Sequence, residues 1–526
     1  MLNCSISEGE CCSACLRLRD VQSKIRECKE PPTELYIQEA HTRSSVNAAH
    51  DLIICHLPLE LVSNIFIFCN PHPIQTDDFG PSLAYRPWSA NWRYQISLGM
   101  VCTAWRNIVR STPQLWTTIC IRLQNLRETP KLEFVLLCLQ LSGSLPLHIY
   151  AWVPWNHEPD EDDYPTLISL LEALNFHSER WKTLDLSMTP RLILRVKCVF
   201  PTASTLEHLR IDCDRLGRPG PWFDTQRCVS FGLSAPRVVN AYGIPFPSLG
   251  VSWRNVTHVK LDALKAGECL TLFQQAMQLV DLVIFLLESG GSNLSELGEV
   301  VTAPNLISWR VEFEEDSDVL LRKICLPSLV HLDVDECTSL DSLEHLVSRS
   351  NCPLRTIHLG RATNARDDVI PIFRVTPLLE KIVLSHATSH GIHKLLEALA
   401  RTKLVGDLLQ DPHTMFLPLL ESLSFMEVDD YPPPWHLVPS LFPPTQYPVN
   451  VQYRPLGRLE FCLSIFLDEF NDDDYLDMNV VRQLMEIKRR DYNLVIQNDE
   501  LDGADGDLIQ LSYSHHFGSQ TPDEVG

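Results

Sequence analysis

The sequence predicts an α/β protein in which a helical N-terminal region precedes an array of short parallel strands. Near the N-terminus, apolar residues recur at intervals of three and four, which is the period of an amphipathic helix. From about residue 180, a Leu-x-x-Leu-x-Leu pattern recurs at intervals typical of a repeat array. At 526 residues the chain is also long for one compact core, so several units or an extended array are expected.

The first apolar helix is predicted at residues 57–69, within "HLPLELVSNIFIFC". Pro58 lies in the first turn, where its missing N–H has no intrahelical partner to lose. The apolar residues of one face are Leu57, Leu61, Ile65 and Phe68. Further apolar residues widen this stripe at Val62, Phe66 and Cys69. A helix with so wide an apolar surface is expected to be buried on more than one side, inside a large core or against a partner.

A second helix is predicted at residues 96–110, with Val101, Trp105, Ile108 and Val109 on one face. Thr112 is a suitable N-cap, and Pro113 follows it at the position that begins a helical turn. The sequence therefore predicts a short third turn that carries Leu115 and Trp116.

The repeats place an apolar residue at their fourth position with regular spacing. These residues are Leu282, Trp309, Leu332, Ile357 and Ile382, and the steps between them are 27, 23, 25 and 25 residues. A period in the twenties around a strand-like apolar core is the leucine-rich-repeat signature. In the copy at 329–334 we expect Leu329, Leu332 and Val334 to point into the core. Its remaining residues, expected outside the core, are Val330, His331 and Asp333.

Charge and hydropathy exclude several classes of function. The formal net charge is −23, which opposes binding to nucleic-acid phosphates or anionic membranes. Residues 468–526 carry a large part of it, with 15 acidic and 4 basic residues. The first residues lack the pattern of a secretory signal, and the apolar run at 279–287 is far shorter than the roughly 20 residues that span a bilayer. We expect a soluble intracellular protein, in the cytoplasm, the nucleus or both, that binds neither nucleic acid nor membrane.

No catalytic residue, cofactor or metal site is predicted. The sequence holds no Gly-rich phosphate loop, no His-Glu-x-x-His and no Gly-x-Ser-x-Gly motif. The cysteines near the N-terminus are Cys4, Cys11, Cys12, Cys15 and Cys28, but one Cys-x-x-Cys without a second pair is weak support for zinc. A calcium loop starting at Asn498 fails because its twelfth residue is Ile509 rather than Glu. The other cysteines are expected to be buried thiols.

The N-terminal motifs resemble an F-box. They occur in the F-box order, as "LPLELVSNIF" at 57–66 and "VCTAWRNIVRSTPQLWTTI" at 101–119. "LQLSGSLPLHIY" at 139–150 resembles the link to the repeats in the large F-box family of mushroom-forming fungi, and the irregular repeats resemble the tail of that family. One departure is a loop between the two helices, residues 70–95, that is longer than in a minimal F-box.

The resemblance implies a three-helix F-box that docks on the Skp adaptor of a Skp–cullin–F-box ubiquitin ligase. Carried over by matching position, the residues that form or support the docking surface are Leu57, Pro58, Leu61, Ile65, Val101, Cys102 and Trp105. The chain would then be a substrate-recruiting subunit that is not itself an enzyme, with an unknown protein target bound by its repeats. The alternative is a leucine-rich-repeat scaffold that binds a partner outside any ubiquitin ligase.

Target binding is predicted on the exposed strand positions, which form the usual binding face of a solenoid. The residues chosen there are Arg210, Lys260, Arg310 and His331. Because basic residues and histidine are frequent at these positions, we expect the face to be less negative than the rest of the chain. An acidic or mixed-charge target segment and a solvated face with chance charge remain two open interpretations.

The predicted organisation has five parts. They are an N-terminal helix and linker at 1–50, the F-box at 51–122, a connecting helical region at 123–178, the leucine-rich-repeat solenoid at 179–465 and an acidic C-terminal segment at 466–526.

Overall fold

The structure is a computed structural model that describes part of the chain. The described residues are 12–50, 52–70, 94–123, 131–153, 162, 164–198, 205–213, 229–231, 234–288, 299–314, 317–336, 339–361, 368–401, 404–405, 416–428, 432–443, 452–463, 475–490, 492–498 and 506–517. The chain divides into two compact units. Unit one comprises residues 1–236 and 247–252, and unit two comprises residues 237–246 and 253–526.

The described residues contain fifteen α-helices. They are α1 Ser13–Glu27, α2 Thr33–Ala49, α3 Leu52–His56, α4 Leu59–Phe68, α5 Tyr94–Val101, α6 Thr103–Arg110, α7 Lys131–Leu141, α8 Tyr164–Phe176, α9 Pro190–Ile193, α10 Ala266–Gln275, α11 Leu340–Ser350, α12 Ile370–Arg374, α13 Ser389–Arg401, α14 Met478–Arg489 and α15 Leu508–Phe517. None of these helices is long and apolar enough to cross a membrane.

Twenty strands occur in the same residues. They are β1 Thr118–Arg122, β2 Leu147–Trp152, β3 Trp181–Ser187, β4 His208–Asp212, β5 Val229–Ser230, β6 Val238–Tyr242, β7 Leu249–Gly250, β8 His258–Lys265, β9 Asp281–Glu288, β10 Val301–Thr302, β11 Ser308–Phe313, β12 Ile324–Cys325, β13 His331–Asp335, β14 Thr356–Leu359, β15 Lys381–Ser385, β16 Leu404–Val405, β17 Ser422–Val428, β18 Gln452–Tyr453, β19 Arg458–Leu463 and β20 Asn493–Asn498. The α/β class is thereby confirmed.

Unit one joins the N-terminal helices to a parallel sheet. Strands β1, β2, β3 and β4 pair in chain order and all run parallel. The sheet thus begins at Thr118, well before the first repeat predicted near residue 180. The reason lies in the residues at 147–152, where Leu147, Ile149 and Ala151 are buried and fill the same core as the later strands. The region predicted as a helical connection at 123–178 therefore also contains a strand of this sheet.

The second predicted helix, 96–110, is two helices in the structure. Cys102 has extended backbone angles and separates α5 from α6. Its thiol accepts a hydrogen bond from the Trp105 N–H, so it is the N-cap of α6. A 3-10 turn at Pro113–Trp116 follows, as predicted, with Leu115 and Trp116 buried.

Unit two is organised around a parallel sheet of ten strands. Their order is β6, β8, β9, β11, β13, β14, β15, β17, β19 and β20, which is also their order in the chain. The fourth-position residues Leu282, Trp309, Leu332, Ile357 and Ile382 are register partners on successive strands, and all are buried. The prediction of parallel strands is confirmed.

The alternation within one strand is also as predicted. Leu329, Leu332 and Val334 are buried, whereas His331 is exposed and Asp333 is partly exposed. Because side chains alternate between the two faces of a strand, one face of the sheet is a continuous apolar core and the other is polar.

The sheet continues past residue 465, into the part predicted as an acidic segment. Strand β20 pairs with β19 in parallel over six residues. Val481, Leu484 and Ile487 of α14 are buried, as are Leu494 and Ile496 of β20. Charge dominates the composition of this segment, but its apolar residues pack against the preceding strand and extend the core.

Several predictions concern residues outside the described part of the chain. Most of the long loop at 70–95 is among them. Cys4 and Cys11 are also outside it.

Candidate functional site

Helix α4 has two apolar faces, and only one of them packs inside the chain. Val62 and Phe66 are buried on the inner face. On the other side, Leu61 is 49% exposed, Ile65 37% and Phe68 88%. Spacings of four and three place these three side chains on one side of the helix, and Pro58, three residues before Leu61, is also exposed. We call Pro58, Leu61, Ile65 and Phe68 the α4 outer face.

The inner face of α4 is held by contacts with the helices that follow. The rings of Phe66 and Trp105 lie 4.6 Å apart between centroids. The Tyr94 hydroxyl donates a 2.9 Å hydrogen bond to the Phe66 carbonyl, and the Thr112 hydroxyl donates one of 3.2 Å to Ser63 Oγ. These contacts fix the rotation of α4 about its axis, so the α4 outer face is held in a solvent-exposed position.

The predicted docking residues divide into two groups in the structure. Pro58, Leu61 and Ile65 are on the α4 outer face. Leu57, which precedes Pro58 in the sequence, is half-buried. Val101 and Trp105 are half-buried, whereas Cys102 is fully buried and caps α6. Cys102 therefore supports the helices but has no exposed surface of its own to offer a partner.

The most exposed apolar side chains of this region were not chosen from the sequence. Phe68 belongs to the predicted stripe but not to the predicted site, and Met100 is 72% exposed on α5. Their apolar character is visible in the sequence, but exposure depends on which side of each helix packs inward. An unusually exposed group of large apolar residues is typical of an interaction surface.

The second candidate surface is the polar face of the unit two sheet. Register pairing places Lys260, Val283, Arg310, Asp333 and His358 side by side on successive strands. We call these five positions the middle row. His331 is exposed two residues before Asp333 on β13. The structure thus brings three of the four predicted target-binding residues onto one face of unit two, while Arg210 lies in unit one.

Acidic neighbours offset the basic residues predicted to bind a target. Arg310 forms an ion pair with Asp333 on the next strand. In unit one the Arg210 guanidinium Nε lies 3.8 Å from the Asp185 carboxylate, and the Lys182 Nζ lies 3.7 Å from that of Glu207. Cross-strand pairs of this kind stabilise a sheet. The predicted basic surplus is therefore smaller than the sequence indicates.

Asp333 is the centre of a short polar chain across three strands. His358 Nδ1 lies 2.7 Å from Asp333 Oδ1 and donates to it, because a carboxylate only accepts. His358 Nε2 lies 2.9 Å from Ser385 Oγ. Ser385, His358 and Asp333 are hydrogen-bonded in the same order as the side chains of a hydrolase triad. A hydrolase triad also requires hydrogen-bond donors that stabilise an oxyanion. Here Arg310 also pairs with the Asp333 carboxylate, as in a structural charge network.

The pKa of Asp333 reflects these partners. Burial by itself raises the pKa of Asp333, but the hydrogen bond from His358 and the charge of Arg310 outweigh that effect and hold it below the ordinary value of 3.8. A carboxyl with a lowered folded-state pKa contributes stability that is fully present above the unfolded value. This contribution is lost as the pH falls from about 3.8 through the lower folded-state pKa.

We expect Asp333→Asn to reduce the loss of folding stability at acidic pH. The variant lacks the titrating carboxyl, so its free energy of unfolding should fall less steeply than that of the wild type below about pH 3.8. Urea denaturation at pH 7 and at several acidic pH values measures the difference. Asp281→Asn, in the same sheet, is the control for loss of one carboxylate. If the free energy of unfolding depended on pH in the same way in the wild type and in Asp333→Asn, the lowered pKa of Asp333 would be contradicted.

The sequence of this chain was compared with protein-family models and with curated proteins. No protein-family model matches it, and no curated protein is similar enough to count as a match.

Proposed function

We propose that this chain is an F-box protein with a leucine-rich-repeat tail and that it recruits substrates to a Skp–cullin–F-box ubiquitin ligase. The observation that carries the proposal is the α4 outer face. A helix that begins after Leu57-Pro58 turns one apolar face into its own unit and leaves the other in solvent. Such an arrangement favours a partner protein on the exposed side.

The order of the neighbouring elements supports the same proposal. Helix α4 is followed by α5 and α6, which carry the Val-Cys-x-x-Trp-Arg motif, by the Pro-x-Leu-Trp turn and then by parallel strands with an apolar residue at the fourth position of each repeat. The irregular steps of about 25 residues agree with leucine-rich repeats. In this proposal the chain acts in the cytoplasm or the nucleus, where the Skp adaptor and the cullin-RING ligase would be its partners.

The chain would act by proximity rather than by catalysis. The F-box would hold the adaptor, and the polar face of the sheets would hold a target protein near the activated ubiquitin. Such tethering raises the effective concentration of the target, which can increase apparent affinity by several orders of magnitude without a new contact. Lys260, Arg310 and His331 are the positions proposed to contact the target in unit two, with Arg210 in unit one. Their acidic neighbours favour a mixed-charge segment over a purely acidic one.

The alternative function is a leucine-rich-repeat scaffold outside any ligase. It makes the same use of the sheet surface but assigns no adaptor to the α4 outer face. The two proposals differ in which proteins accompany the full chain in cells.

Affinity purification of the tagged full chain, with proteins identified by mass spectrometry, tests both. We expect a Skp adaptor and a cullin with the wild type, and their loss when Leu61, Ile65 and Phe68 are replaced with Ala. Lys260→Glu with Arg310→Glu should leave the adaptor and cullin bound but change the remaining partners. If the wild type co-purified with other proteins but with neither Skp nor a cullin, that result would favour the scaffold function. Partners unaffected by the double charge reversal would rule out target binding through the middle row.

A further inference from the structure

Cys12, Cys15 and His50 meet where the ends of α1 and α2 come together. Cys12 and Cys15 lie at the start of α1, and His50 is the C-cap of α2. The Cys12 Sγ lies 3.7 Å from His50 Nε2, and the Cys15 Sγ lies 3.6 Å from the same nitrogen. All three donor atoms are within 4.8 Å of one another. We propose that these residues form a zinc site that joins the two helices.

Both sulfur–nitrogen distances suit tetrahedral zinc. Zn–S bonds of about 2.3 Å and Zn–N bonds of about 2.05 Å at the tetrahedral angle separate sulfur from nitrogen by about 3.6 Å. Both sulfur–nitrogen distances in the structure agree with this value. Tetrahedral zinc also requires the two sulfurs to lie about 3.8 Å apart, and in the structure they lie within 4.8 Å of each other.

The histidine is oriented in the way that metal sites require. His50 Nδ1 lies 2.8 Å from the Val46 carbonyl oxygen. Because a carbonyl only accepts, Nδ1 carries the proton, and the lone pair of Nε2 points toward the sulfurs. Metal-binding histidines usually donate their other N–H to a carbonyl or carboxylate in this way. The Cys15 N–H also donates to Cys12 Sγ over 3.5 Å, which fixes the rotamer of Cys12.

The helix pair buries few side chains, although Gln22 of α1 donates a 3.0 Å hydrogen bond to Glu39 of α2. The buried residues of α1 are Ala14 and Val21, and none of the described side chains of α2 is buried. A pair of helices with so small a core is the kind of structure that a metal commonly stabilises. Helix α2 also borders the helices that follow, since the Thr103 N–H donates to Ser44 Oγ over 3.1 Å. Zinc would thus help to position α2 against α6.

This site is not predictable from the sequence because His50 is 35 residues from Cys15. A metal prediction from spacing requires a second pair near a known interval, and here the third ligand comes from the far end of another helix. Three protein ligands leave a fourth coordination position for water or another thiolate. Soft thiolates with one imidazole favour zinc over calcium or magnesium. The inference does not depend on the proposed function.

Metal analysis of the full chain, purified with a phosphine reductant and dialysed against zinc-free buffer, tests the proposal. We expect about one tightly bound zinc ion per chain, and a loss of at least about four-fifths of it in Cys12→Ser/Cys15→Ser and in His50→Gln. Cys28→Ser is the matched control, because Cys28 is an exposed thiol at the other end of α1. This control should keep the zinc content of the wild type.

Cobalt substitution provides a readout on the unmodified chain. Tetrahedral Co²⁺ with two thiolates is expected to give intense visible and near-ultraviolet absorption that zinc abolishes on addition. Circular dichroism of each variant checks that the sheets remain folded. Zinc content far below one per chain together with no such cobalt spectrum, or zinc content unchanged in both variants, would overturn the proposal. A Cys12–Cys15 disulfide in the reduced preparation, detected by intact mass, would overturn it as well.

Discussion

Replacing Leu61, Ile65 and Phe68 with Ala is expected to weaken binding of a purified Skp-type adaptor at least about a thousandfold, which corresponds to ~4 kcal/mol. Burying one large apolar side chain is worth roughly 1.5–3 kcal/mol, and Leu61, Ile65 and Phe68 are the large apolar side chains exposed on the α4 outer face. Because none of them is buried within the chain, the substitutions should cost little folding stability. Isothermal titration calorimetry with the full chain and the purified adaptor measures the loss.

A matched variant distinguishes adaptor docking from nonspecific hydrophobic binding. Leu136 and Phe176 are exposed by 48% and 65% on α7 and α8, away from the proposed F-box in the sequence. Leu136→Ala/Phe176→Ala should bind the adaptor as the wild type does. Equal affinity of the α4 variant and the wild type would remove the basis for the F-box assignment, provided that circular dichroism shows the α4 variant to be folded.

Replacing Arg454 with Met is expected to lower the free energy of unfolding by about 3 kcal/mol or more. Arg454 is only 4% exposed, and burial lowers the pKa of its guanidinium to about 10. Its guanidinium donates to the carbonyls of Leu417, Leu399 and Phe416. Met has a similar stem but no donor, so three carbonyl groups would lose a hydrogen-bond partner, at about 1–3 kcal/mol for each buried group.

The control for this prediction is Arg458→Met, four residues along the chain. The Arg458 side chain is half-exposed and forms a surface ion pair with Glu460, and exposed pairs contribute at most about 1 kcal/mol. Urea denaturation followed by circular dichroism and tryptophan fluorescence compares the two variants with the wild type. If both variants unfolded at the same urea concentration, Arg454 would have no special role in joining the segments at Leu399 and at Phe416–Leu417.

Much of the local structure was predictable because it depends on residues close together in the chain. The apolar period of α4 and the Thr112-Pro113 start of the following turn are local patterns, and the structure has both elements. The repeat pattern identified parallel strands, since the steps between Leu282, Trp309 and Leu332 leave room for the long crossover connection that parallel strands require. Even so, Cys102 divides the second helix, because its thiol caps α6 instead of continuing α5.

The extent of the sheet was harder to predict. Strand β1 precedes the first clear repeat, and β20 follows the last one, in a segment where acidic residues dominate the composition. Both strands are recognisable only by the partner on which they pack. A single repeat cannot bury its apolar face alone, so membership of the sheet depends on neighbours that are distant in the sequence.

The sequence by itself determined the α/β class, the parallel direction of the strands, and which residues of each strand face the core. Only the tertiary structure decided that Phe68 faces solvent while Phe66 faces Trp105, that Asp333 offsets Arg310, and that His50 lies beside Cys12 and Cys15. The physical reason is the same in each case. Helical and strand periods arise from backbone geometry over a few residues, whereas exposure, charge pairing and ligand sets depend on side chains brought together from separate elements.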